Sequence, residues 1–297
     1  MTDTETGTTA VTIAIVTRRA TPALERLVSR VGGMACPFGR CEVVVVAEDP
    51  SVREPVPREP GLGGWLVRVP FGRGLGFNRN RAVDESRGSV VAFVDDDCWP
   101  QDGWLAELLA PLADPSIDAV TGKVKVPPST FLGDAIAALG FPGGGSEGFE
   151  VMYPVDARGL TDHLAIGNSA VRRSALGRVG GFDETMTAGG EDTELSYRLC
   201  EAGFRIKYQP SAVVEHAART SLAEFARWFF RRGRSVYQLS RRVREGPMIA
   251  ARLASYGRLL AIHRRDPKLL VIVPLLFASV LLQETGFVWE WASGGRR

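Results

Sequence analysis

Apolar and polar positions alternate in blocks along most of this chain. Val11-Thr12-Ile13-Ala14-Ile15-Val16 predicts a first strand, and Pro22 to Val31 a helix behind it. Gly32-Gly33 would end that helix, since glycine readily takes the left-handed conformation of a helix stop. Glu42 to Val46 predicts a second buried strand and Trp65 to Val69 a third, after a Pro- and Gly-rich stretch from Glu54 to Gly64. Asn78 to Ser86 has a helical pattern. It leads into Ser89-Val90-Val91-Ala92-Phe93-Val94, a short β-branched run without polar alternation, the mark of a strand buried on both faces. Asp102 to Ala110 predicts a further helix and Asp118 to Val126 a further strand. Such alternation with short connections implies a doubly wound α/β sheet, in which ligands bind at the carboxyl ends of the strands. Those ends carry Thr17-Arg18-Arg19, Glu48-Asp49 and Asp95-Asp96-Asp97, which should line one crevice.

Beyond Val126 the pattern loosens. Pro127-Pro128 and Phe141 to Gly148 predict long irregular connections around one short helix. Regularity returns at Leu164 to Val171. Gly189-Gly190 then precede an acidic helix start, Glu191-Asp192-Thr193-Glu194, with carboxylates where the helix dipole favours them. Arg205 to Tyr208 and Ala212 to Val214 predict two short closing strands, followed by Glu215-His216. From Thr220, Phe225, Phe229, Val236, Leu239 and Val243 recur at helical spacing beside an arginine stripe (Arg227, Arg231, Arg234, Arg241), with Arg232, Arg242 and Arg244 adjacent. This predicts a basic amphipathic helix, interrupted near Gly233. It would either pack a solvated face on the main domain or meet phosphate-rich acceptors or an anionic membrane. Leu269 to Leu282 is an apolar run of about 14 residues containing Pro274, short of the roughly 20 that span a bilayer. Phe287, Trp289 and Trp291 follow it. Peripheral membrane contact, a buried C-terminal helix and a homodimer contact all fit this run.

Composition sets outer limits. The chain has 297 residues, 45% hydrophobic and 24% charged, enough for a sizeable core in one domain or two. A formal net charge of +2 gives no support to nucleic-acid binding. The four cysteines, Cys36, Cys41, Cys98 and Cys200, are scattered, which suggests neither a disulfide framework nor a metal cluster and favours a reducing cytoplasm. Residues 1–10 are expected to be a disordered polar tail without the features of a signal peptide.

The Asp95-Asp96-Asp97 triplet is the strongest chemical signal. Like charges about 5 Å apart repel by roughly 3 kcal/mol at an effective dielectric near 20, so a core strand ending in three carboxylates calls for compensation. In an extended chain Asp95 and Asp97 point one way and Asp96 the other, leaving half of a hard-cation site open to phosphate oxygens. A solvated acidic turn or a helix N-cap fits the triplet equally well.

Several ordered pieces together resemble a family 2 glycosyltransferase of the GT-A fold, over roughly residues 11 to 218. They are Gly74-Leu75-Gly76-Phe77-Asn78-Arg79-Asn80-Arg81-Ala82, Val91 to Asp97, Gly167 to Arg173, Val179 to Glu184, Gly190 to Leu199, and Val213-Val214-Glu215-His216. The resemblance implies a Rossmann-like doubly wound mixed sheet at residues 11–219, with a helical appendage at 220–297. It further implies inverting transfer of a sugar from a UDP-, GDP- or dTDP-linked donor to an acceptor hydroxyl. Asp97 would bind Mg²⁺ or Mn²⁺, Asp95 would share the metal or reach the ribose, and His216 would complete the coordination. Asp192 would be the general base, with Glu191 supporting it or binding acceptor. Thr17, Asp49 and Arg79 match nucleotide-holding positions, with Glu48 an alternative to Asp49 and Asp96 the middle of the motif. Arg18-Arg19 stands where the family usually has an aromatic residue followed by Asn or Asp, which puts base stacking there in question. Read singly, these residues are also ordinary: strand-end caps (Thr17, Asp49), helix caps (Glu191, Asp192), a salt bridge (Arg79) and a structural histidine (His216). The rival functions are a nucleotidyltransferase, which should carry a glycine-rich phosphate loop after the first strand, and a non-catalytic nucleotide-sugar-binding module.

Overall fold

A computed structural model describes residues 10–37, 39–53, 63–140, 153–243 and 256–294. Residues 1–9, 54–62, 141–152 and 244–255 lie outside the described residues, and with them most of the expected tail, the Pro/Gly-rich stretch, the glycine run and Arg244. The strands are β1 (Val11–Thr17), β2 (Cys41–Ala47), β3 (Gly63–Arg68), β4 (Val90–Asp95), β5 (Cys98–Pro100), β6 (Ala119–Lys125), β7 (Leu160–Thr161), β8 (Asn168–Arg172) and β9 (Ile206–His216). The helices are α1 (Pro22–Gly32), α2 (Leu75–Glu85), α3 (Trp104–Leu109), α4 (Phe131–Ala138), α5 (Arg173–Val179), α6 (Glu191–Glu201), α7 (Leu222–Ser240) and α8 (Leu269–Gly294).

One mixed sheet runs in the order β3-β2-β1-β4-β8-β6-β9-β5, and β7 pairs with β9. The β3-β2-β1-β4 half is parallel, as its two-sided apolar runs predict, whereas β8 is antiparallel to both β4 and β6. Alternate residues of the central strands divide between two cores. Ile13, Val43, Ala92 and Val94 face Leu27 of α1 and Leu105 and Leu108 of α3. Ala14, Val44, Val91 and Phe93 face Ala82 of α2, Leu176 of α5 and Leu195 of α6. This layering is that of the GT-A fold. A third cluster joins α4 (Ile136), α7 (Phe225, Phe229) and α8 (Ile272, Leu275).

Several local expectations change. α1 is capped by Thr21, whose hydroxyl accepts from Leu24 N at 3.2 Å, with Pro22 opening the helix. Its stop is not left-handed: Gly33 has φ −94° and its N–H reaches back to Arg30 O. The turn that follows brings the Cα atoms of Cys36 and Cys41 to 5.8 Å, and the two form a disulfide where no pairing was expected. β8 starts at Asn168 rather than Leu164 because Leu164 N donates to Ser196 Oγ and Ala165 N to Thr121 Oγ1 instead of to a ladder. The two closing strands are one strand, β9, in which Gln209 pairs with Gly122 and Val213 with Lys123. The skipped residues include Pro210, which cannot donate and so sits at the bulge.

α7 is unbroken at Gly233. A Cβ there would lie 1.9 Å from Gln283 O of α8, and one at Gly286 of α8 would lie 2.0 Å from Phe230 O of α7. Gly233 thus serves a close helix crossing, not an interruption. The apolar run also extends further than its sequence suggests, as a helix of 26 residues with Pro274 in its second turn.

Candidate active site

Strand register assembles the site. Thr17 lies beside Ala47, and Val16 beside Asp95, so the carboxyl ends of β1, β2 and β4 share one edge. β5 pairs antiparallel with β9 and sets Cys98 opposite His216. This short, unexpected strand is what carries His216 to the triplet.

The three aspartates have separate partners. Asp95 pairs with Arg79 Nη2 at 3.2 Å, and its Oδ2 crowds Gly167, where a Cβ would fall 2.4 Å away. Asp96, in the turn that follows β4, has Oδ2 2.5 Å from Thr17 Oγ1. Asp97 Oδ2 is 3.1 Å from His216 Nε2 and 2.7 Å from Arg219 Nη2. His216 Nδ1 lies 2.8 Å from Ala217 O, a pure acceptor, so Nδ1 donates there and Nε2 is the nitrogen turned to Asp97.

Burial pushes the Asp96 carboxyl up to about 6, against its Thr17 hydrogen bond. Burial also raises Asp95, with Arg79 opposing. At Asp97 burial acts upward too, but the hydrogen bond and charge of His216, with Arg219, outweigh it and hold the carboxyl below its usual range. Within the triplet, Asp97 is the member best held as an anion.

Arg79 is the hinge of the site. It is buried, pairs with Asp95 on one side and donates through Nη1 to Glu191 Oε1 on the other. Burial alone would lower its pKa, but Glu191, Asp95 and Asp192 raise it. Glu191 opens α6 behind Gly189 and Gly190, with φ of 98° and 86°. Those values are left-handed, so both glycines serve a fixed turn, not a loose entry. A Cβ at Gly190 would also fall 2.3 Å from Ser235 Oγ of α7. Glu191 Oε2 is buried without a hydrogen-bond partner among the described residues. Asp192 Oδ1 accepts from Thr193 N at 2.7 Å. Its Oδ2 has no hydrogen-bond partner among the described residues.

A cavity of about 980 Å³ lies over this edge and is lined by Arg79, Asp95 to Asp97, Glu191, Asp192 and His216. Thr17, Glu48 and Asp49 do not line it. Thr17 is one contact behind, through Asp96. Glu48 is buried and accepts from Arg18 Nε, Asn78 Nδ2 and Gly72 N at 3.2, 2.8 and 3.2 Å. Asp49 caps its own turn, accepting from Ser51 N at 2.8 Å and Ala20 N at 3.1 Å. Arg18 lies over the exposed Phe71 ring at 5.6 Å, so an aromatic surface does adjoin the Arg18-Arg19 position.

The sequence reading missed Arg219, Tyr153 and His163, and had Arg231 only as part of a basic stripe. Arg219 lies three residues past His216, a signal that was available. Arg231 lies on the arginine stripe and lines the cavity. Tyr153 and His163 line it too, their rings stacked at 3.6 Å.

The donor atoms of Asp97, Cys98 and His216 lie within 4.8 Å of one another. Burial, reinforced by the triplet, pushes the Cys98 thiol well up, and a soft sulfur ligand suits neither Mg²⁺ nor Mn²⁺. The remaining carboxylate oxygen and imidazole nitrogen fit Mg²⁺ or Mn²⁺.

Comparison with known proteins bears on the family and the fold. Residues 9–237 match the family described as "Glycosyltransferase like family 2", a match that runs through most of α7. The Pre-mycofactocin glycosyltransferase of Mycobacterium tuberculosis (strain CDC 1551 / Oshkosh) is 31% identical over 229 residues, covering 72% of this chain and 44% of that protein. The chain therefore spans less than half the length of that curated relative. The mannosyltransferase PcManGT from Pyrobaculum calidifontis, solved in complex with GDP-Man and Mn²⁺, superposes with a TM-score of 0.57 at 20% identity, covering 96% of this chain and 84% of that one. GalNAc-T7, solved with UDP, GalNAc and Mn²⁺, superposes with a TM-score of 0.55 at 16% identity, covering 89% and 59%. With its sheet topology, its strand-edge cavity and a family match over most of its length, the chain belongs to the glycosyltransferase family 2-like proteins.

Proposed function

We propose that this chain transfers a sugar from a nucleoside diphosphate donor to an acceptor hydroxyl, with inversion, using a divalent cation held by Asp97 and His216. One observation carries the reading. A carboxylate–imidazole pair and the open carboxylate of Asp192 line one cavity, tied together through Asp95, Arg79 and Glu191. Of the solved neighbours of the same fold, one holds GDP-Man and Mn²⁺ and another UDP, GalNAc and Mn²⁺, which supports the same ligand class here.

Each residue then has a defined task. Asp97 and His216 hold the cation, which when bound neutralises charge on the departing diphosphate. Arg219 and Arg231 add fixed positive charge at the same end. Asp192 Oδ2 accepts the proton of the acceptor hydroxyl as its oxygen bonds to the anomeric carbon. The bond from that carbon to the phosphate oxygen breaks, and its electron pair leaves with the nucleoside diphosphate. Attack on the face opposite the leaving group gives inversion. Glu191 is a positioning residue, locked by Arg79. Thr17 and Asp96 shape the strand end, and Glu48 orders Arg18 and Asn78 at the nucleotide edge. Residues 11–219 form the transfer unit in this reading and 220–297 a helical appendage, of which α7 lines the cavity.

The outer face of α8 is proposed to lie along an anionic membrane surface. Leu270, Phe277, Leu281 and Trp291 are exposed on it, and Arg264 and Arg265 are exposed near its start. The helix is long and apolar enough to cross a bilayer, with a mean hydropathy of 1.9 over an 18-residue stretch. Its inner face is packed against α7 and α4, which favours lying along the surface.

The direct test is a panel of UDP-, GDP- and dTDP-sugars with Mn²⁺. Release of nucleoside diphosphate that stops in EDTA is expected. Release of pyrophosphate would instead mark a nucleotidyltransferase, and no turnover of any sugar would favour a binding module.

A further inference from the structure

The turn that leads into Glu191 and Asp192 is held from outside the sheet. Its last residues, Gly189 and Gly190, have φ of 98° and 86°. Glycine reaches many other conformations as readily, so nothing local fixes these two. Ser235 and Gln238 of α7, and Arg242 just past its end, meet the turn in order. Arg242 donates through Nε to Asp183 Oδ2 and through Nη2 to Thr185 Oγ1. Gln238 accepts from Ala188 N at 3.2 Å and donates to Thr187 Oγ1 at 3.3 Å. Ser235 covers Gly190, where a Cβ would fall 2.3 Å from its Oγ. The three residues are spaced as neighbours on one helical face.

Gln238 is buried, and both ends of its amide are engaged. Its Nε2 donates to Glu290 Oε1 of α8 at 2.7 Å, and Glu290 Oε2 accepts from Arg234 Nε at 2.6 Å. A flipped amide would set its oxygen against the Glu290 carboxylate and its NH₂ against the Ala188 N–H. Both contacts would repel, so the amide has one orientation. Glu290 is a carboxylate on a largely apolar helix, and its side chain is only 15% exposed. A charge withdrawn from water there is costly unless paired, and Gln238 and Arg234 are two of the groups that pair it. A chain of contacts thus runs from α8 through Gln238 to the start of α6.

We propose that Gln238, anchored on Glu290, is a positioning residue for Asp192: it holds residues 187–190 in the one conformation that keeps the Asp192 carboxylate on the cavity. This rests on the sugar-transfer reading, in which Asp192 takes the acceptor proton. Gln238 itself is not among the residues that line the cavity, so it acts only through the turn. Arg79 locks Glu191 from the side of the sheet, and Gln238 fixes the preceding turn from the side of the helices. Asp97 and His216 are carried by β4, β5 and β9 and share none of the Gln238 contacts. Loss of Gln238 should therefore displace the base and leave nucleotide binding alone. A displacement of about 1 Å costs on the order of 100-fold in rate.

The test compares three variants of the full chain: Gln238→Leu, Gln238→Glu, and Gln238→Glu combined with Glu290→Gln. The first removes the acceptor of Ala188 N, the second sets two carboxylates together, and the third again places one amide against one carboxylate. Amide hydrogen exchange over residues 183–193 should quicken by about tenfold or more in both single variants. Calorimetric binding of Mn²⁺ with UDP or GDP should stay within about threefold of the parent, while kcat for the nucleotide sugar that the parent turns over falls roughly 10- to 100-fold. The combined variant should recover exchange and kcat to within about threefold of the parent. If Gln238→Leu folds poorly, Gln238→Glu and its combined partner carry the test. Unchanged exchange in the single variants overturns the proposal. So does a parental kcat beside quickened exchange, a loss of nucleotide binding that matches the loss of kcat, or a combined variant no better than Gln238→Glu. In each of these cases the parent is active and only the role of Gln238 falls. If the parent turns over no nucleotide sugar, the sugar-transfer reading falls and takes this role with it.

Discussion

Arg79 is a buried cation between two carboxylates, with a side chain only 5% exposed. Its replacement leaves the buried Glu191 carboxylate without compensation, while Asp95, 43% exposed, keeps part of its hydration. Arg79→Ala should therefore cost about 3–5 kcal/mol of stability, read by denaturant unfolding. Loss of less than about 1 kcal/mol would show that water enters and that the pair does not tie α6 to β4. His163 acts at the same scale but through pH. Burial lowers its pKa from 6.5 to about 4, with Asp192 opposing. The unfolded chain takes up the proton first as pH falls, so this contribution is full above about pH 6.5 and is lost between there and pH 4. It amounts to at most about 3 kcal/mol. His163→Phe should flatten the stability profile over that window. An unchanged slope would place the acid sensitivity in other groups.

At the scale of elements, what the sequence made legible follows from how far each signal reaches. β1, β2 and β4 could be seen because both faces of a central parallel strand are buried, which leaves an unbroken apolar run. α6 could be seen because its glycines, acidic first turn and helical period agree. β5 could not, since three residues ending in proline carry no period, and its pairing with β9 is a long-range event. The bulge at Pro210 hid the continuity of β9, because two short apolar runs separated by proline look like two strands. The Cys36–Cys41 pairing depends on how the chain leaves α1, which spacing alone does not show. Gly233 was the most instructive case. A mid-helix glycine predicts weakness, whereas here it admits the backbone of α8. Gly233→Ala should destabilise the chain by about 1–3 kcal/mol, because its Cβ would meet Gln283 O, whereas a loose or flexible Gly233 would gain helix propensity. Thermal unfolding decides the sign, and a stabilised variant would contradict the close crossing.

At the scale of the whole molecule, the site is the product of two architectures. The doubly wound sheet sets its acidic floor at the strand edge. The α4–α7–α8 cluster closes its far side and carries an exposed apolar flank outward. The sequence motifs located the floor, including Asp97, Asp192 and His216, because each sits at a strand or helix end. They did not locate Arg219, and the basic stripe contained Arg231 without showing that it reaches the cavity. The exposed flank gives a further expectation. The full chain should float with phosphatidylglycerol vesicles and much less with phosphatidylcholine vesicles, and a double substitution Phe277→Ser and Leu281→Ser should abolish flotation. Equal recovery of the variant in the floating fraction would contradict membrane contact through α8, and a concentration-dependent dimer lost on the same substitutions would assign the flank to a second copy.

The central claim is that Asp192 removes the acceptor proton at a site where Asp97 and His216 hold the donor through a divalent cation. Paired measurements on Asp192→Asn test it most directly: calorimetric binding of Mn²⁺ with the active nucleotide sugar, and the rate of transfer to acceptor. Binding within about threefold of the parent, with transfer reduced by roughly 10² to 10⁴, is the predicted result. Near-parental transfer by Asp192→Asn, with donor binding intact, would contradict it.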